Sequence, residues 1–207
     1  MMSGISDSAH YYHGVIPHPE LDIWELRTIK QLLPDDLDSL LDLGCGTGEF
    51  LTRAKNYYRK ILGIDLNHSA LAVCWQKHIP VLESDAQKTP LNCHSFDIVR
   101  AQNILEHLDK PENLIIEAKR ILKTNGFLII HVPSHFSTLY PVTNFWDDYT
   151  HVRPFTKRCL ERLLSDFGLE IIFCKGYTLG RNKWESLLGK FLERFVPFSW
   201  FVVAKKV

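Results

Sequence analysis

The chain carries no excess charge of either sign: 24 basic residues stand against 24 acidic ones over 207 residues. A global basic field of the kind that gathers nucleic acid is thereby excluded. No apolar run is long enough to span a bilayer, and no stretch is patterned like a secretory signal. The five cysteines, Cys45, Cys74, Cys93, Cys159 and Cys174, are odd in number and never spaced C-x-x-C. A disulfide framework is disfavoured, and reduced thiols in a cytoplasmic setting are expected. Internal repeats and low-complexity tracts are missing as well. At this length the chain is expected to form a single domain over residues 1–207, large enough to bury a full α/β core.

What the chain does have is concentrated in Ser39 to Phe50, Ser-Leu-Leu-Asp-Leu-Gly-Cys-Gly-Thr-Gly-Glu-Phe. Leu40, Leu41 and Leu43 around Asp42 read as a short buried strand. Gly44, Gly46 and Gly48 follow at alternate positions, a turn in which backbone approaches a ligand closely. Glu49, Phe50, Leu51 and Ala54 then open an amphipathic helix. Strand, glycine turn and helix are how α/β proteins cradle a nucleotide-like ligand. The dinucleotide fingerprint G-x-G-x-x-G would place a pyrophosphate at the helix amino terminus. Here the third glycine comes one residue early, and Glu49 and Asp42 are carboxylates where phosphates would be repelled. Asp-x-Gly-x-Gly-x-Gly suits a nucleoside bearing positive charge, and S-adenosylmethionine, with its ammonium and sulfonium groups, is one.

Acids recur at the ends of the next strands. Lys60 to Asp65 makes a second strand, and Asp65 lies 17 residues beyond Gly48, near the spacing at which an acid grips a ribose. A carboxylate only accepts, and two vicinal hydroxyls offer it two donors. Asn67 or Ser69 remains to cap the helix of Ala70 to Lys77. Pro80 to Ser84 is a third strand, followed by Asp85. Before these comes a helix from Pro19 to Leu33, burying Ile23, Leu26, Ile29 and Leu33. After them Phe96 to Gln102 is a fourth strand. A helix begins at Asp109, Pro111 and Glu112, buries Leu114, Ile115, Ala118, Ile121 and Leu122, and is expected to stop at Asn125-Gly126. Phe127 to Val132 is a fifth strand, Leu169 to Cys174 a sixth and Phe201 to Lys205 the last, with a helix capped by Thr156 and ended by Gly168 before the sixth.

The glycine motif, together with Phe-Asp-Ile-Val and Ile-Leu-Glu-His-Leu in and after the fourth strand, resembles the small class I S-adenosylmethionine-dependent methyltransferases. That resemblance implies a doubly wound, three-layer Rossmann-like α/β fold. Its seven strands would run in the order 3-2-1-4-5-7-6, with the last antiparallel. It also implies S-adenosyl-L-methionine as cofactor. The residues expected to hold it are Asp42, Gly44, Cys45, Gly46, Gly48, Asp65, Leu66, Asp85, Ala86, Gln102 and Asn103. Asp85 and Ala86 would recognise the adenine, while Asn103 and His107 would lie by the methionine end. The implied reaction is in-line displacement at the sulfonium methyl, with positioning and desolvation of the acceptor as the protein's chief task.

Residues 134–155 form a long stretch without period, dense in aromatics and ionisable groups, after the fifth strand. We read it as acceptor pocket and lid, with Trp146, Asp148 and Arg153 contacting the acceptor. Asp-Asp-Tyr-Thr-His-Val-Arg-Pro-Phe-Thr within it matches a motif of the resembled family, though ion pairs that merely lock the loop would also account for it. A hydroxyl acceptor on a small molecule, lipid or glycan precursor would call for a general base. His151 is the first candidate, oriented by Asp147 or Asp148, and His107 the second. The histidines lack ligand spacing with one another, so no metal is expected. Residues 1–18 read as an arm, loose or folded over the cofactor. Residues 178–198 are an insertion before the last strand. Within it Trp184, Leu187, Leu188, Phe191, Leu192, Phe195 and Val196 make a helical stripe that packs on the core or on a second copy in a homodimer. Two rival readings are a nicotinamide-dependent oxidoreductase and a catalytically silent binding protein.

Overall fold

A computed structural model describes residues 19–139, 144–177 and 195–207. The expected arm and nearly all of the helical stripe, up to its last two members Phe195 and Val196, lie outside them. Seven strands, β1 (Ser39–Leu43), β2 (Lys60–Asp65), β3 (Val81–Glu83), β4 (Phe96–Gln102), β5 (Leu122–Pro133), β6 (Leu169–Tyr177) and β7 (Ser199–Lys206), form one sheet in the order β3-β2-β1-β4-β5-β7-β6. The first five are parallel, and β7 runs antiparallel between β5 and β6. This is the doubly wound order expected.

Side chains alternate across each strand, so neighbouring residues serve opposite faces. Leu40, Ile98, Ile129 and Val203 pack with Leu26, Ile29, Phe50, Leu51 and Leu71, under α1 (Pro19–Leu32), α2 (Glu49–Ala54) and α3 (His68–Gln76). Leu41, Leu43, Val99, Ala101 and Leu128 pack with Leu114, Ile115, Ala118, Leu160 and Leu164, under α4 (Pro111–Ile121) and α5 (Lys157–Asp166). With both faces covered, the parallel strands read as apolar runs.

Two expectations need correcting. Ile23 is exposed; α1 turns Leu21, Asp22, Glu25, Leu26 and Ile29 inward, because half-buried Arg53 pairs with Asp22 and buried Arg100 with Glu25. Asn125-Gly126 does not stop α4, which ends at Ile121 as Leu122 becomes extended. The pair instead lies in β5, where the register with β4 shifts. A Cβ on Gly126 would stand 2.9 Å from the Asp97 carbonyl, so glycine is there to let two backbones approach at a bulge. The Thr156 cap on α5 accepts from the Cys159 amide at 3.0 Å, and Gly168 beyond its end takes a φ of 67°.

Candidate active site at the carboxyl edge

In a parallel sheet the ligand crevice lies outside the carboxyl ends of the strands, where the order reverses. Here β1 and β4 are neighbours with β2 on the other side of β1, so the segments after these three strands meet at that edge.

The turn after β1 is tied down by Gly44 and Cys45 amides donating to the Ile64 carbonyl at 2.7 and 3.0 Å. Gly44, Gly46 and Gly48 all take positive φ, 75°, 51° and 71°, conformations that cost an L-residue and not a glycine. Two of the three also answer to packing. A Cβ on Gly44 would meet Ile104 Cδ1 at 3.1 Å, and one on Gly48 would meet Cys74 Sγ at 2.8 Å. The Gly46 amide donates to Asp65 Oδ2 at 2.8 Å, and the Asn67 amide to Asp65 Oδ1 at 2.9 Å. Asp65 thus braces the glycine turn against β2, with further lone pairs on each oxygen. Asn67, not Asp65, caps α3. Leu66 beside it is exposed, Ala86 is buried and Asp85 is exposed at the end of β3. Cys45 and Cys74 lie together beneath the turn, both thiols directed at the Gly46 carbonyl.

Glu49 does not stand alone at the start of α2. Its carboxylate pairs with Lys77 and lies 3.7 Å from Arg53. Its charge is locally compensated, so the early third glycine carries the argument against a pyrophosphate better than Glu49 does.

Under the turn sits a buried charge cluster that sequence reasoning missed. Arg100, in the middle of β4, donates through Nε and Nη2 to both Glu25 oxygens at 2.7 and 2.9 Å and through Nη1 to Asp42 Oδ1 at 2.9 Å. It also bonds Gln102 Oε1 and stacks over the Phe50 ring at 3.7 Å. Burial pushes the Asp42 carboxyl up to about 6, the Arg100 charge holding back a larger rise. At neutral pH Asp42 is ionised, and its Oδ2 has no donor among the described residues. A charged residue inside a strand buried on both faces, and two acids on the apolar side of α1, were the available signals.

After β4 the chain enters the left-handed region at Asn103 (φ 49°), whose amide donates to the His131 carbonyl at 2.8 Å. Asparagine tolerates that conformation better than most residues. A 3-10 turn, Leu105–His107, follows. Glu106 is wholly buried, and neither carboxylate oxygen has a well-formed hydrogen bond among the described residues. Burial pushes its carboxyl up to about 8, its own backbone partly offsetting the rise and the Asp148 charge adding to it. Its carbonyl accepts from the Val152 and Arg153 amides, fastening the loop after β5 to the end of β4.

Short 3-10 turns cover His135–Leu139 and Phe145–Asp147, and Ser134 pairs with Phe155. The two candidate histidines, read as separate possibilities, come together with ring centroids 4.7 Å apart. Burial lowers the basicity of His107, and His151 lowers it further. His151 stacks on Phe145 and donates from Nδ1 to the Phe145 carbonyl at 2.6 Å. Its Nε2 stands 3.9 Å from Asp148, whereas Asp147 is spent on the Asn144 amide. Arg153 reaches neither acid; it donates to the Asp109 carbonyl at 2.7 Å. Trp146 is exposed and packs edge-on against Phe145.

Residues 41–130 match the family model described as a methyltransferase domain. Malonyl-[acyl-carrier protein] O-methyltransferase of Legionella pneumophila is 30% identical over 125 residues, which are 56% of this chain and 44% of that protein. Demethylmenaquinone methyltransferase of Lactococcus lactis is 25% identical over 179 residues, 81% of this chain and 70% of that one. The chain spans about half the length of several curated relatives it matches. The crystal structure of a SAM-dependent methyltransferase from Archaeoglobus fulgidus superposes with a TM-score of 0.76 at 24% identity, covering 97% of this chain and all of that one. The family's cofactor is S-adenosylmethionine, and the donor set fits a cationic nucleoside: an ionised Asp42 with an unpartnered oxygen, Asp65 and Asp85 at successive strand ends, and apolar Leu66 and Ala86 between them. Residues 41–130 thus match a methyltransferase domain, and the sheet order and glycine motif are those expected of the class I S-adenosylmethionine-dependent methyltransferases.

Proposed function

We propose that the protein transfers a methyl group from S-adenosylmethionine to a hydroxyl oxygen of a small-molecule, lipid or glycan-precursor acceptor. The observation that carries this reading is the placing of Asp42, Asp65 and Asp85 at the carboxyl ends of three adjacent strands around a turn of positive-φ glycines. When bound, the cofactor supplies a methyl carbon activated by its sulfonium, which an acceptor oxygen takes in line as S-adenosylhomocysteine leaves. The chain's own residues hold and orient. Asp65 accepts from the ribose while bracing the Gly46 amide, Asp85 with Ala86 meets the adenine, and Gln102 and Asn103 border the methionine end. His151 or His107 takes the acceptor proton, and Trp146, Asp148 and Arg153 line the acceptor's approach. One relative is named an O-methyltransferase, in keeping with an oxygen acceptor. Among the described residues no helix is long and apolar enough to cross a membrane.

Calorimetry with S-adenosylmethionine and with NAD tests the cofactor half. Binding of the first and not the second is expected. Asp65→Ala should weaken it roughly tenfold or more, since hydrogen bonds to a charged acceptor are worth about 1.5–3 kcal/mol each. Unchanged affinity in that variant would remove the ribose assignment, and binding of NAD alone would overturn the reading.

A further inference from the structure

We propose that Glu106, His107 and His151 form a binding site for one divalent first-row transition-metal cation at the carboxyl edge of the sheet. Each of the three side chains offers one ligand atom, and these atoms all lie within 4.8 Å of one another. Tetrahedral donors about 2.1 Å from a shared ion stand roughly 3.4 Å apart, so the cluster must tighten by up to about 1.4 Å at its widest, a side-chain movement.

Three features set this cluster apart from a chance meeting of polar groups. The first is Glu106. Its carboxylate is wholly withdrawn from water without a well-formed hydrogen bond among the described residues. Buried carboxylates are paired with charges, supplied with donors, or bound to metals, and among the described residues this one has only its own backbone amide nearby, without a well-formed bond, and no charged nitrogen bonded to it.

The second is the orientation of the two rings. His151 Nδ1 faces the Phe145 carbonyl, which only accepts, so Nδ1 carries the hydrogen and Nε2 the lone pair. His107 Nδ1 faces Thr150 Oγ1 at 2.8 Å, and that hydroxyl already gives its hydrogen to Asp148 Oδ1 at 2.6 Å. Thr150 must therefore accept from His107, which fixes the same tautomer. Both histidines thus have Nε2 as the ligand-competent nitrogen and Nδ1 bonded outward, the outer arrangement that orients histidines around a metal. The third feature is attachment: the Glu106 carbonyl receives the Val152 and Arg153 amides, so the segments bearing the three ligands are bonded to each other beside His151.

Two imidazoles and one carboxylate favour Mn, Fe, Co or Zn over the oxygen-seeking Mg or Ca, and three protein ligands leave coordination positions for oxygens of another molecule. A cation there would bind the acceptor's hydroxyl and make its proton easier to lose to solvent, replacing the histidine base of the metal-free reading, since both imidazoles would then be ligands. That role rests on the methyl-transfer reading, whereas the cation site does not.

The full chain, stripped with chelator, is titrated by calorimetry with Zn²⁺, Mn²⁺ and Mg²⁺, and separately with S-adenosylmethionine. About one equivalent of Zn²⁺ or Mn²⁺ should bind, with Mg²⁺ at least about tenfold weaker. Glu106→Gln, which keeps the shape, and His151→Ala should each weaken Zn²⁺ by at least about tenfold, with S-adenosylmethionine affinity unchanged. Visible absorption of the Co²⁺-loaded wild type gives a readout needing no variant, and bands of nitrogen-ligated Co²⁺ are expected. No stoichiometric binding by wild type, no such bands, or variants that bind as wild type does would each overturn the site. If S-adenosylmethionine binds but no metal does, the cation site alone falls; if metal binds but S-adenosylmethionine does not, the site stands and the transfer reading falls.

Discussion

Glu25 and Glu106 are both wholly removed from water, and the fold treats them in opposite ways. Glu25 projects from α1 onto Arg100 and accepts from two of its nitrogens in a forked pair. Glu106, on a 3-10 turn one strand end away, has no comparable partner. A buried carboxylate costs several kcal/mol unless paired; Arg100 offsets that cost at Glu25, whereas at Glu106 burial raises the carboxyl to about 8, so that the neutral acid prevails near pH 7. The first cluster is a platform that ties α1, β1 and β4 together beneath the glycine turn. The second brings a carboxyl and two imidazoles within 4.8 Å of one another.

The largest expected effect breaks the platform. Arg100→Met leaves Glu25 and Asp42 buried without their shared cation, and loss of one member of a buried ion cluster costs about 3–5 kcal/mol. Denaturant unfolding should show that loss, and adding Glu25→Gln should recover part of it. A cost under about 1 kcal/mol would mean that the guanidinium is not what holds these elements together.

That cluster also marks where the sequence could be read and where it could not. β2 and β4 are legible to the residue because an apolar run bounded by turn residues has one reading in a parallel sheet. The strand order followed from motif resemblance more than from periodicity. Local patterning failed where the partner came from afar. Helical spacing could place Glu25 on the inward side of α1, but only tertiary structure supplies Arg100 to justify it. Asn125-Gly126 reads as a helix stop and serves a bulge, since the close Asp97 carbonyl is invisible in sequence. His107 and His151 carry no mutual spacing, yet the loop after β5 brings their rings together, so a search for ligand motifs passed them by.

A smaller effect sharpens the comparison through pH. His131, wholly buried beside the Arg100 cluster, is pushed down to about 4 by desolvation. An unfolded histidine titrates near 6.5, so as pH falls the unfolded chain takes the proton first, and stability is lost between about 6.5 and 4. Asp42 runs the other way. Its folded carboxyl titrates near 6 against an ordinary 3.8, so its contribution is complete below 3.8 and is lost as pH rises through 6. Each is worth at most roughly 3 kcal/mol and the two oppose over the shared window. Asp42→Asn removes only the second. The variant should therefore lose up to about 3 kcal/mol more than wild type between pH 6.5 and 4, read from denaturant midpoints at both values. Equal losses would show that Asp42 titrates as an ordinary carboxylate.

The smallest effect tests the other cluster through a residue that would touch no ligand. Thr150 takes a hydrogen from His107 and gives its own to Asp148. Thr150→Val keeps the shape and removes both bonds, so the His107 ring loses the acceptor that fixes its Nδ1 hydrogen. The stability cost should be about 1 kcal/mol, the worth of an ordinary hydrogen bond in a partly exposed place. Zn²⁺ affinity should fall by about tenfold to a hundredfold, as it does when an outer partner of a metal-bound histidine is removed. Thr150→Ser restores the hydroxyl without the methyl and should recover the affinity. A residue that only packs would behave differently, because serine would then be no better than valine. If serine fails to rescue, Thr150 does not position His107, and the tautomer argument for the cation site loses one of its two legs.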